Sequence, residues 1–235
     1  SLCYQLPALL QPGLSLVISP LIALMEDQTA KARALNWPMT CVHSAVSKEE
    51  RSKRLEKAAR GEIKLLYVTP ERFRSPEFQE MLSRVKVSML AVDEAHCISQ
   101  WGHDFRPDYS RLGEIRAKLG DPQTMALTAT ATREVQADIL KQLRISAEIM
   151  WEGVERPNLY LAGAEFEHDD DKFEAVREWL TGIKGAKILY FTLISTLESA
   201  SEWLEAKGVA HWKYHGELED RVRRRNQKEF LVSPD

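Results

Sequence analysis

Cysteine is scarce in this chain. Cys3, Cys41 and Cys97 are odd in number and far apart, which argues against a disulfide framework and for a reduced, intracellular setting. Cys97 lies near His96 and His103, but three such groups without a fourth do not make a structural zinc site, so metal binding by them is not expected. Positive charge is not in excess either. The formal charge of −3 gives no global attraction to phosphate, so any nucleic-acid site has to be a local basic groove. Apolar runs of membrane-spanning length are missing, because residues 14–25 are too few and Pro20 interrupts them. Residues 6–10 resemble a signal-peptide core, but no basic region or methionine precedes them. No repeat of fixed period is present.

What remains is a chain of 235 residues with the apolar and charged fractions of a soluble globular protein. Short apolar, β-rich runs alternate with helical patterns. Strands are expected at 14–18, 40–42, 63–68, 87–92 and 124–127, with helices at 21–35, 48–60 and 133–143. Such alternation implies an α/β fold, a mostly parallel sheet with helices on both faces. The pattern breaks around Glu155-Arg156-Pro157-Asn158, where Pro157 restricts Arg156. A second alternation follows, with helices at 169–181, 195–207 and 217–231 and strands at 187–191 and 211–214. The expected organisation is a first domain over 1–151, a linker over 152–158 and a partial second domain over 159–235. The acidic run 165–171 reads as a solvated loop and residues 221–225 as an exposed basic helix face, with phosphate contact as the alternative.

Met89-Leu90-Ala91-Val92 leads directly into Asp93-Glu94-Ala95-His96. A buried parallel strand delivers acids in this way to its C-terminal edge, where open α/β sheets bind ligands. A solvated acidic turn would also place one acid there, and less often two. The functional alternative is a Walker-B-type pair, one carboxylate on Mg²⁺ and the other orienting and deprotonating the water that attacks a γ-phosphate. The stretch beyond it, Gln100-Trp101-Gly102-His103-Asp104-Phe105-Arg106-Pro107, mixes aromatics with polar residues. Trp101 and Phe105 would ordinarily be core. Their neighbours argue for a partly exposed loop, where aromatics and an arginine form a stacking platform for single-stranded bases.

The DEAH box with this extension resembles the RecQ family of DNA helicases, within superfamily two. The box alone would equally suit DEAH RNA helicases. Other segments are similar to that family in order and spacing: residues 1–8 to the run after its phosphate-loop Gly-Lys, 17–28 to motif Ia, 67–72 to motif Ib, 127–132 to motif III, Arg156-Pro157-Asn158 to the inter-domain segment, and Tyr214-His215-Gly216 to the second domain. Phe191-Thr192-Leu193-Ile194 departs from the usual polar run at its place.

The resemblance implies two RecA-like α/β domains, the second truncated, in an ATP- and Mg²⁺-dependent DNA helicase of 3′-to-5′ polarity serving repair or recombination. By the same resemblance Glu94 is the general base, and Asp93 and Ser1 hold Mg²⁺. His96, Gln100, Thr128 and Thr130 couple ATP to DNA. Trp101, His103, Phe105 and Arg106 contact nucleic acid, as do Pro20, Thr69 and Arg72. Single-stranded and forked or duplex DNA are the implied partners, with no membrane and an intracellular location. Read from the residues alone, Thr69 and Arg72 fit a surface turn nearly as well, and Thr132 a helix cap. No Gly-x-Gly-Lys precedes Ser1, and nothing like motifs V and VI or the zinc-binding and winged-helix modules is present. The chain therefore reads as a fragment expected to hydrolyse little ATP alone. An RNA-remodelling enzyme and a nucleic-acid-binding protein without hydrolysis are the alternatives.

Overall fold

A computed structural model of the chain describes residues 1–102, 104–151 and 156–233. The chain divides into two compact units, Ser1–Trp151 and Glu152–Asp235. In the first, elements run in the order α1 (Leu2–Leu10), β1 (Leu14–Ile18), α2 (Ile22–Ala34), β2 (Met39–Val42), α3 (Lys48–Ala59), β3 (Leu65–Val68), α4 (Pro76–Ser83), β4 (Val87–Val92), α5 (Leu112–Lys118), β5 (Gln123–Ala126) and α6 (Arg133–Leu143). Single 3₁₀ turns at Pro70–Arg74, Ala95–Ile98 and Tyr109–Arg111 lie on the connections.

The five strands form one parallel sheet in the order β2-β3-β1-β4-β5. β1, β2 and β3 are buried at every residue, as a sheet covered on both faces requires, whereas β5 at the edge is partly exposed. Side chains alternate between two cores with the period of the strand. Leu16, Ile18, Leu66, Val68, Leu90 and Val92 face Phe73, Phe78, Met81, Leu112, Ile139 and Leu143. Val17, Leu65, Tyr67, Met89 and Ala91 face Tyr4, Ala8, Met25 and Ala32.

Local chemistry sets the helix ends. Ser47-x-x-Glu50 caps α3, the Ser47 hydroxyl accepting from the Glu50 amide at 3.3 Å. Thr132 accepts from the Val135 amide at the start of α6, at 3.4 Å. Helices α1, α4 and α5 were not among the expected elements. Leu2–Leu10 carries apolar residues on nearly every side and Pro7 inside it, which hides its period. The other two are short, at 8 and 7 residues.

The second unit contains α7 (Asp169–Gly182), α8 (Ile194–Ala206) and α9 (Asp220–Val232). Phe173 packs on Trp203 with ring centroids 5.7 Å apart. Glu198 holds both Lys213, at 2.6 Å, and His215, at 3.0 Å. The strands expected at 187–191 and 211–214 are not formed. An apolar run becomes a strand only when a neighbouring edge takes its backbone hydrogen bonds. Among the described residues of this unit neither segment has such a neighbour, and Tyr190 is 90 % exposed. No helix of the described residues is long and apolar enough to cross a membrane.

Gly113 sits where α5 meets α6. A Cβ built there would lie 2.2 Å from the Gln142 carbonyl oxygen. Gly113→Ala is expected to destabilise the first unit by about 1–3 kcal/mol, because backbone rather than a flexible side chain must move. Gly163→Ala, with open space around it, serves as the neutral control in urea unfolding.

Candidate active site

The strand register places five C-terminal ends nearly level. Val42 pairs with Val68, Val68 and Val92 both pair with Ile18, and Val92 pairs with Ala126. The next residues, His43, Thr69, Ser19, Asp93 and Leu127, therefore line one edge. Asp93 donates its amide to the Ile18 carbonyl at 2.8 Å, which extends the ladder one residue beyond β4. Its carboxyl is half-buried. Burial raises its pKa above the usual aspartate value and the adjacent Glu94 charge raises it further, while the Glu94 amide and the Tyr4 hydroxyl oppose the shift. Ser1 stands at the start of α1, its hydroxyl close to Tyr4, so Ser1 and Asp93 share this corner.

Glu94 adopts a left-handed backbone, φ 49° and ψ 47°. A residue with a Cβ held there costs roughly 1–2 kcal/mol. The strain is held by the next residue, since the Ala95 amide donates to the Leu127 carbonyl at 2.9 Å, and Leu127 in turn donates to Val92 at 2.9 Å. The chain then coils through Ala95–Ile98, bringing His96 back toward Glu94. His96 is 5 % exposed. Its Nδ1 is hydrogen-bonded to Thr128 Oγ1 at 3.0 Å and lies 3.4 Å from Glu94 Oε2, with Thr130 Oγ1 at 3.5 Å. His96, Thr128 and Thr130 are thus brought together, with the imidazole beside the Glu94 carboxylate.

Gln100 and Trp101 follow on the surface, and Trp101 is 78 % exposed. Gly102 closes the turn. A Cβ there would lie 2.4 Å from the His96 carbonyl oxygen, so the loop can fold back on the DEAH segment only with glycine. Arg106 returns to the same segment, its amide donating to the Cys97 carbonyl at 3.0 Å. Its guanidinium is engaged with Asp104 at 3.0 and 3.2 Å. Phe105 is half-buried rather than fully displayed. His103 lies outside the described residues.

The other expected contacts sit on the same edge. Pro20 is half-buried at the end of β1. Thr69 is 7 % exposed, and its carbonyl accepts the Arg72 amide at 3.0 Å. Arg72 Nε is buried with no hydrogen-bond partner among the described residues.

Two features escaped the sequence reading. Gln5 on α1 donates to Tyr67 on β3 at 2.8 Å and to Gln28 on α2 at 2.9 Å, while Tyr4 packs edge-on against Tyr67. The signal available was two polar side chains in an otherwise apolar helix. The sequence shows Asp104 only as a polar neighbour of the loop aromatics, without its contact to Cys97. It accepts a hydrogen bond from the Cys97 thiol at 3.7 Å.

Residues 1–138 match the model of the DEAD/DEAH box helicase family. The chain belongs to that family. Within it, the chain is 40 % identical to the ATP-dependent DNA helicase RecQ of Haemophilus influenzae over 98 % of its length, and 41 % identical to the RecQ of Bacillus subtilis over the same share. It is 38 % identical to the ATP-dependent DNA helicase Q5 of Rattus norvegicus, again over 98 % of the chain. The chain spans 37 %, 39 % and 26 % of those relatives, respectively. Two solved structures share the fold at low identity. Saccharomyces cerevisiae Dbp5 bound to Gle1 has a TM-score of 0.64 at 14 % identity, covering 92 % of this chain and 53 % of that one. The DUF1998 helicase MrfA has 0.64 at 17 %, covering 100 % of this chain and 38 % of that one.

The raised pKa of Asp93 carries a stability prediction for this family member. Below the ordinary aspartate range the carboxyl is protonated in both folded and unfolded chains and costs nothing. As pH rises through the raised folded value, ionising the half-buried group costs stability. Asp93→Asn is therefore expected to raise the melting temperature near neutral pH without divalent cations, with the gain vanishing toward about pH 4. Calorimetry across this range measures it.

Proposed function

We propose that the chain is the motor portion of an ATP- and Mg²⁺-dependent DNA helicase of the RecQ type, moving 3′ to 5′ on single-stranded DNA in repair or recombination inside the cell. The observation that carries this reading is a single short segment in which two acids, a coupling histidine and a displayed tryptophan are physically tied. Glu94 meets His96, His96 meets Thr128, and the loop bearing Trp101 is anchored to the DEAH backbone through Arg106 and Cys97. The RecQ relatives support the choice of DNA over RNA. The domain reading that goes with it is one RecA-like domain over 1–151, a linker over 152–158 and part of a second RecA-like domain over 159–235.

Asp93 and Ser1 would hold Mg²⁺. The fit rests on Asp93 itself, because a carboxylate desolvated and crowded by Glu94 is stabilised by a divalent cation. The ion, when bound, neutralises charge developing on the transferred phosphoryl group. Glu94 acts as general base toward the attacking water, and His96 keeps its carboxylate oriented. Trp101 and Phe105 stack on unpaired bases, with Arg106 and His103 beside them. Pro20, Thr69 and Arg72 contact the phosphate backbone from the ends of β1 and β3. Gln100, Thr128 and Thr130 pass DNA occupancy to the acids through His96.

In the full-length enzyme, Glu94→Gln is expected to lower ATP turnover about 10²-fold or more while leaving ATP binding intact. Steady-state hydrolysis with parallel nucleotide-binding measurements checks this, and unchanged turnover removes Glu94 from the role. Single-stranded DNA is expected to stimulate the ATPase more than RNA of the same length does. Trp101→Ala should abolish that stimulation and spare the basal rate. Equal stimulation by RNA would move the enzyme to the RNA-remodelling class, and full DNA stimulation of the Trp101 variant would discard the loop as sensor.

A further inference from the structure

His96, Cys97 and Asp104 each offer one ligand-type atom, the three atoms lying within 4.8 Å of one another. Among the described residues they are the one grouping of this kind. We propose that these three side chains form a binding site for a borderline-soft divalent cation of the zinc type, taken up reversibly and distinct from the nucleotide's Mg²⁺.

The donor set is nitrogen, sulfur and oxygen, which suits zinc and its neighbours and does not suit Mg²⁺ or Ca²⁺. In a tetrahedral site, donors at about 2.0–2.3 Å from the metal stand about 3.5 Å apart. Cys97 Sγ and Asp104 Oδ2 are already separated by 3.7 Å, so little movement is needed there. Two of the ligands are buried, His96 at 5 % and Cys97 at 0 % exposed, and the Asp104 side chain is 46 % exposed, which gives the ion a way in. Three protein ligands leave the fourth position to water, the arrangement of an open, exchangeable site rather than a structural one.

His96 also carries the outer support that metal-bound imidazoles use, since its Nδ1 is hydrogen-bonded to Thr128 and lies near the Glu94 carboxylate. Arg106 holds Asp104 through Oδ2 alone. A carboxylate has two oxygens and about four lone-pair sites, so a cation can share it. On binding, the Cys97 S–H bond breaks, the proton leaves to solvent, and the freed sulfur lone pair forms the bond to the metal. The imidazole and carboxylate donate lone pairs already present, so no electrons are exchanged. One thiolate and one carboxylate then balance the charge of the ion.

Resting on the helicase reading, occupancy would tie the coupling histidine to the loop that displays Trp101 and so suppress stimulation by DNA. Binding itself does not depend on that reading.

Cobalt(II), a spectroscopic substitute for zinc, is titrated into the purified chain. One equivalent is expected to produce thiolate-to-cobalt charge-transfer absorption and tetrahedral d–d bands, both removed by added zinc. Cys97→Ser should abolish the charge transfer. Asp104→Asn, at a side chain 46 % exposed, should weaken cobalt binding by about tenfold or more while circular dichroism confirms the fold. Cys3→Ser and Cys41→Ser should leave the bands in place. Absence of the bands, their survival in Cys97→Ser, or their loss in the Cys3 or Cys41 variants would overturn the site. In the full-length enzyme, stoichiometric zinc should suppress DNA-stimulated ATPase in the wild type and not in Asp104→Asn. Cobalt bands without such suppression would refute the coupling. If the enzyme proves to be no helicase, the ATPase assay fails while the bands persist, so the two readings fail separately.

Discussion

Parallel pairing in a common register is the constraint on which the rest depends. Because β4 lies between β1 and β5, with Val92 level with both Ile18 and Ala126, the residues after those strands meet at one edge. Asp93 is held by the Ile18 carbonyl and Ala95 by the Leu127 carbonyl. A slip of one residue in either pairing would turn these side chains to the opposite face and undo the contacts among Glu94, His96 and Thr128. The buried strands β1 and β4 resist such a slip, because the slip would exchange the residues of the two cores.

The strained backbone at Glu94 follows from that constraint. The sheet hands the chain over at Asp93, and within two residues the imidazole must face Thr128. A left-handed residue makes that reversal, and the hydrogen bond from Ala95 to Leu127 holds it against the energetic cost. The same economy appears at Gly102, where the absence of a Cβ lets the aromatic loop lie against the His96 carbonyl. A left-handed residue at Glu94 and a close backbone approach at Gly102 thus bracket a segment of nine residues that carries the acid pair, His96 and the exposed Trp101.

Much of this was legible in the chain. The apolar run 87–92 announced the strand that ends at the two acids, and Thr132 offered the helix cap that it makes. The apolar runs at 187–191 and 211–214 read as strands by the same logic, yet neither is paired among the described residues of the second unit. Pattern reports which face a segment would bury, not whether a partner edge is there. Asp104 shows a related limit. In sequence it is one acid among aromatics, and its approach to Cys97 exists only because the loop folds back through Gly102 and Arg106.

The sequence by itself determined the five strands of the first unit, the order of the motifs and the identity of the chemistry-bearing side chains, because hydrophobic period and local propensity act over a few neighbours. Tertiary structure alone decided that His96 meets Thr128 across 32 residues, that Gln5 meets Tyr67 across 62, and that Cys97 and Asp104 lie within 4.8 Å of His96. Those meetings depend on strand order and on the turns that follow each strand. No local pattern encodes them, since they arise from burying two cores on one sheet at once.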